Sequence, residues 1–249
     1  MRHIAPQCIG VLIVCLVAAP VGKLCHAVTP NSGQTEDAAA TIALEARIAG
    51  NIAIKNRELF QAVASLSREL KFRYSLEYRT SDLDTCNPYL DLVSADGMTL
   101  RELLDALVAK APGWQWRADE GVVNFIYGKL DSASDWPLNN KHPRVSISSG
   151  RASLDQALKA YIPEMKPAMY GCLDPFEVRT KHAPRPTFQL EHVTLRSALN
   201  RFVTSAAYLT EGVYYSWRFC GTEDGYRCEV RYEDWDRDQT AASARQAPQ

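Results

Sequence analysis

The side chains in this 249-residue chain best suited to chemistry or contact are aromatics and arginines gathered in two short stretches. "WQWRADEGVVNFIY" carries Trp114, Trp116 and Arg117, and "VYYSWRFCGTEDGYRCEVRYE" carries Tyr214, Tyr215, Trp217, Arg218 and Tyr226. Each stretch reads as a β-hairpin, the first turning near Asp119–Gly121. Side chains alternate along a strand, so Trp114 and Trp116 share one face, as do Tyr215 and Trp217. If that face meets helices, the aromatics are core. If it meets water, they form a patch suited to a protein partner or a glycan. Arg117 and Arg218 each follow a tryptophan on the opposite face, which predicts exposure.

Cysteine is the second chemical signal. Seven are present, and Cys8, Cys15 and Cys25 belong to a leader described below. The four that remain, Cys86, Cys172, Cys220 and Cys228, are an even number in an exported chain, which predicts two disulfides. A three-residue turn over Glu223, Asp224 and Gly225 would set Cys220 opposite Cys228. Opposed strand residues lie about 4.5–5.5 Å apart at Cα, within bridging range. Cys86–Cys172 follows by elimination.

Other chemistries lack their residues. There is no GxSxG elbow, HExxH, P-loop or GxGxxG. No CxxC or paired histidines offer a metal site, and His142, His182 and His192 are scattered. Ser148, Ser149 and Gly150 beside Arg151 resemble an anion nest but read better as a turn into a Ser153 helix cap. "TEDG" and "YEDWDRD" lack the spacing of a calcium loop. No catalytic residue, metal or cofactor is expected.

Four helices must position the hairpins. The first stripe is Leu59, Phe60, Val63, Leu66 and Leu70, with Asn56 as cap, between strands "NIAI" and "KFRYSLEY"; in the latter Phe72, Tyr74 and Leu76 alternate as in a half-buried strand. The second, "MTLRELLDALVAKAPGW", opens with Thr99 and Glu102 at capping-box spacing and Met98 as a staple. It buries Leu100, Leu103, Leu104, Leu107 and Val108, and Pro112–Gly113 stops it. The third, "ASLDQALKAYIPEM", has Ser153 and Gln156 in the same spacing and follows strand "RVSIS". The fourth, "VTLRSALNRFV", is capped by Thr194, buries Leu195, Ala198, Leu199, Phe202 and Val203, and follows strand "TFQLEHV". The order strand–helix–strand, strand–helix–hairpin therefore occurs twice.

Each helix needs a sheet on which to bury its stripe. The expected fold class is α+β, with two tandem small domains at 46–128 and 144–234; one fused domain with a larger sheet is the alternative. Residues 28–45 and 129–143 read as linkers and 235–249 as a tail. Residues 1–27 carry an early Arg2, the apolar run "IGVLIVCLVAA" and small residues before a cleavage site after Ala27, the pattern of a secretory signal peptide. That run is about half the ~20 residues of a membrane span. Loss of Arg2 and Lys23 takes the formal charge from −1 to −3. A mildly acidic chain with no basic stripe excludes nucleic acid as a partner.

"IAIKNRELFQAVASLSRELKFRYSLEY" and "LVSADGMTLRELLDALVAKAPGWQWRADEGVVNFIY" together resemble the short N-terminal domain of secretins and TonB-dependent receptors. Met98, Thr99, Leu100, Leu103, Leu104, Gly121, Val122, Val123 and Ile126 carry the likeness over residues ~50–127, with a diverged second copy over ~144–232. The resemblance implies a periplasmic, non-catalytic module whose partner is another envelope protein. A free-standing tandem copy, with no plug, barrel or ring core in the sequence, is expected to be an accessory of an envelope transport, secretion or signalling machine. A small-ligand or glycan binder using the hairpin aromatics is the alternative.

Overall fold

A computed structural model describes residues 42–148, 154–166, 187–204 and 213–234. The expected leader, Cys172, Ser153 and the C-terminal residues 235–249 lie outside the described residues. The first copy runs β1 (Ala53–Glu58), α1 (Leu59–Leu70), β2 (Arg73–Arg79), α2 (Leu83–Cys86), β3 (Tyr89–Val93), α3 (Leu100–Ala109), β4 (Trp114–Asp119) and β5 (Val122–Tyr127). The second runs β6 (Lys141–Ser148), α4 (Leu154–Lys159), β7 (Thr187–Thr194), α5 (Leu195–Thr204), β8 (Val213–Thr222) and β9 (Gly225–Asp234). The class is mixed α and β, as expected.

The copies are not separate domains. The described residues all fall within one compact unit, and a single five-stranded sheet, β4-β5-β2-β8-β9, draws strands from both copies. β2 lies at its centre, parallel to β5 on one side and to β8 on the other. The hairpins β4–β5 and β8–β9 extend it outward. The fused alternative therefore describes the molecule. One face of the sheet carries Tyr74, Leu76, Val123, Phe125 and Trp114 into a core with α1, α3 and the β1–β3 ribbon. The other carries Val122, Ile126, Tyr215, Trp217, Phe219 and Cys228 into a core with α4, α5 and the β6–β7 ribbon. Each copy covers one face.

The central position of β2 overturns its half-buried reading, since Tyr74, Ser75, Leu76 and Glu77 are all fully buried. Parallel strands covered on both faces are normally apolar runs; here the second face keeps Ser75 and Glu77, and other residues must satisfy them.

Several local expectations hold. Thr99 and Glu102 form a complete capping box on α3, and Leu100, Leu103, Leu104 and Leu107 are its buried residues. The Thr194 hydroxyl accepts from the amide of Ser197 at 3.1 Å, capping α5. Asn56 does not cap α1. It sits inside β1 at φ 45°, where the ladder shifts register. The first turn of α1 is instead capped from a distance, as the amide of Phe60 donates to Asn87 Oδ1 at 3.0 Å. The two linker boundaries also shift. Ile42 and Leu44 pack on the first core, and Trp136 and Leu138 are fully buried in the second.

The β8–β9 turn corrects the disulfide expectation. Thr222 pairs with Gly225, so the loop is Glu223–Asp224, one residue shorter than expected. Cys220 then lies opposite Arg227 and Cys228 opposite Phe219, on opposite faces of the sheet. A slip of one residue moves a side chain to the other face. Cys220 and Cys228 therefore do not pair, and Cys86 and Cys220 are free thiols.

Candidate functional site

Of the hairpin aromatics, Trp114, Tyr215 and Trp217 are core, which removes the main support for an exposed glycan platform; the side chain of Tyr214 lies outside the described residues. Trp217 is fully buried, Trp114 is 6% exposed and Tyr215 7%. The Trp114 indole donates to the carbonyl of Cys86 at 2.6 Å and meets Phe60 edge-on. Trp116 is half-buried on the same side. Arg117 is exposed as expected. Arg218 is not: it is half-buried with its guanidinium over the Phe60 ring, 5.1 Å from the centroid.

On the first face a thiol and a phenol lie beneath these aromatics. Burial pushes the Cys86 thiol up to about 12, with Asp82 adding to it. Burial also raises the Tyr78 phenol to about 12. Both groups are therefore neutral at physiological pH, and Cys86 is not an activated nucleophile.

The seam between the copies holds a buried ionic cluster. Glu77 projects from β2 and Arg196 from α5, with side chains 0% and 3% exposed. Arg196 Nε donates to Glu77 Oε1 at 2.6 Å and Nη2 to Oε2 at 2.7 Å. The Trp136 indole donates to Oε2 at 2.8 Å. Nearby, the Ser75 hydroxyl donates to Asn124 Oδ1 at 2.9 Å. The Trp217 indole donates to Asn200 Oδ1 at 3.0 Å, and Asn200 Nδ2 donates to the Asp119 carbonyl at 3.2 Å. Part-buried Glu120 accepts from Ser197 and Arg201, at 2.7 and 2.6 Å. The Glu77 carboxylate is committed to the bidentate guanidinium and the indole. The cluster is a lock between β2 and α5, and its charges are spent on each other.

Among the described residues, the large exposed apolar side chains lie on and beside β3. Tyr89 is 66% exposed and Val93 62%, alternating with buried Leu90 and Leu92. Leu83, on α2, is 43% exposed. Among the described residues β3 pairs only with β1, which leaves its other edge open. The ribbon is held firmly. The Asn56 amide donates to Asp91 Oδ1 at 2.6 Å. Asn87 Nδ2 and the Tyr89 hydroxyl donate to opposite oxygens of Glu58, at 3.0 and 3.2 Å. The Glu58 carboxylate beside it raises the Tyr89 phenol above its ordinary value.

Sequence reading missed both features. "YLDLV" has strand alternation, but it lies in a stretch the helix signals pass over. Glu77 and Arg196 are 119 residues apart, and each occupies the polar position of an ordinary amphipathic pattern. Only the shared sheet brings them together. No protein family, curated protein or solved structure matches this chain.

Proposed function

We propose that this chain is an exported, non-enzymatic protein-interaction module, an accessory of an envelope transport, secretion or signalling machine. Its partner adds a strand along the open edge of β3. The observation that carries this reading is the exposure of Tyr89 and Val93 on a strand with a free edge. Strand addition draws affinity from main-chain hydrogen bonds and specificity from alternate side chains. Tyr89 and Val93 flank exposed Asp91 on β3, so a partner strand would meet two apolar side chains and one carboxylate there. The likeness of residues ~50–127 to the short N-terminal domain of secretins and TonB-dependent receptors supports the same partner class. So does the order β1-α1-β2 then β3-α3-β4-β5 in the first copy. No helix among the described residues is long and apolar enough to cross a membrane.

The test is site-specific photocrosslinking in cells. A crosslinker at position 93 is expected to trap one discrete envelope protein, and Tyr89→Glu is expected to abolish the adduct. A crosslinker at Gln115, exposed on the edge strand β4, is expected to give none. Equal products at 93 and 115, or none at 93, would refute the reading.

A further inference from the structure

A cleft of about 440 Å³ opens where the C-terminal end of α1 meets the segment before β1. Its size is that of a small-molecule site. That segment forms one wall. It is tied to the start of α3 by backbone bonds from Ile48 to Met98 (2.8 Å), Leu100 to Ala46 (3.2 Å) and Arg101 to Leu44 (3.0 Å). Ile48, Phe72 and Leu100, each at most 6% exposed, supply the apolar floor. The chain turns sharply at Lys71, whose φ is 55°, and carries on into β2.

The charges around this floor are unbalanced. Arg47, Lys71 and Arg73 line the cleft, against Glu69 alone. This is a local excess of positive charge in a chain whose formal charge is −1. Arg47 and Lys71 are exposed; Arg47 Nη1 donates to the Gly97 carbonyl at 3.4 Å, and its charge also acts on the Glu102 carboxylate. Arg73 is the decisive group. Its Nε is buried with no hydrogen-bond partner, and desolvation lowers its pKa. A guanidinium does not deprotonate in proteins, so its burial is a cost that an anion would offset. That Nε is itself closed to solvent, so an anion in the cleft would be met by the terminal nitrogens of the guanidinium.

We propose that this cleft binds a small amphiphilic anion. Its apolar body covers Ile48, Phe72 and Leu100, and its carboxylate or phosphate oxygens accept from Arg73. Lys71 and Arg47 add positive potential at the mouth. A guanidinium fork matches either head group, so the shared chemistry is an oxyanion on a short apolar tail. This site is separate from the open edge of β3 and does not depend on it.

Calorimetric titration of the full mature chain tests this with octanoate, octyl phosphate, octanol and inorganic phosphate, all below micellar concentrations. Octanoate or octyl phosphate is expected to bind at one site, and the tighter of the two identifies the head group. Octanol and inorganic phosphate are each expected to bind at least about tenfold more weakly, since each lacks one half of the ligand. Arg73→Gln is expected to weaken the anionic amphiphile about tenfold or more. Lys71→Gln, at an exposed position that keeps the fold intact, is expected to weaken it severalfold. Amide chemical shifts on binding should move at Phe72 and Gly121, both in the cleft lining. Octanol binding as tightly as octanoate, wild-type affinity in both variants, shifts confined elsewhere, or binding by neither anion would overturn the proposal.

Discussion

Helix α3 sets Asp105 against the indole of Trp116 at 2.8 Å, and helix α5 sets Asn200 against that of Trp217 at 3.0 Å. Counted from their capping threonines, Thr99 and Thr194, the two acceptors occupy the same helical position, as do Arg101 and Arg196. The geometry is repeated and the surroundings are not. Trp116 lies on β4, at the edge of the sheet, and Asp105 is exposed. Arg101 there pairs with exposed Glu45 and is itself 48% exposed. Trp217 lies on β8, beside the central strand, and Trp217 and Asn200 are fully buried. At the edge the copy keeps a carboxylate and a solvated arginine. In the interior the acceptor is a neutral amide, and the arginine needs Glu77. Place in the sheet, rather than the repeated motif, sets the polarity each position can carry.

The comparison can be broken most forcefully at the arginines. Arg196→Ala leaves Glu77 buried and unpaired and is expected to cost about 3–5 kcal/mol. Arg101→Ala is expected to cost less than about 1 kcal/mol. Urea midpoints measure both, and equal losses would refute the contrast. Replacing the pair together, as Glu77→Leu with Arg196→Met, is expected to be close to neutral because both charges leave at once.

At the tryptophans, Trp217→Ala should cost about 3–5 kcal/mol, and the half-buried Trp116→Ala about 1–2 kcal/mol, again read from chemical denaturation. At their partners, Asn200→Ala leaves a buried indole N–H unpaired, for about 1–3 kcal/mol. Asp105→Ala lets water reach the Trp116 N–H and should cost under about 1 kcal/mol.

The smallest effect at neutral pH belongs to the first face. Folding raises Cys86 from 9 to about 12 and Tyr78 from 10 to about 12. The folded state therefore holds protons that the unfolded chain releases. This contribution to stability is full below pH 9 and is lost as pH rises through about 12. The urea midpoint should fall across that window, with a shallower fall in Cys86→Ala. A thiol reagent at about pH 8 should modify half-buried Cys220 before Cys86 in the native protein.

Local structure was legible because it depends on short spacing. The capping box at Thr99 and Glu102, the leucine stripe of α3 and the hairpins follow from residues within a few positions of one another. What could not be read was set by strand order. Nothing in "RYSLEYR" says that its polar face is covered, because the cover comes from Arg196 and Asn124 on distant elements. Alternation measures the polarity of a face, and a satisfied carboxylate hides inside that average. Asn56 has the spacing of a cap for α1, but the group that caps it, Asn87, is 27 residues downstream of the amide it accepts from. The cysteine pairing failed by a single residue of turn length. Of the candidate site, strand alternation shows which aromatics share a face but not which face is covered. The β3 edge and the basic cleft required the assembled ribbon and wall.

The most direct test of the shared sheet is native-state hydrogen exchange on Arg196→Ala, a change made in the second copy alone. One fused unit predicts that the slowest amides of β5, in the first copy, and of α5, in the second, lose protection together, by the same ~3–5 kcal/mol. Loss confined to α5, with β5 unchanged, would show two independent domains and contradict the account.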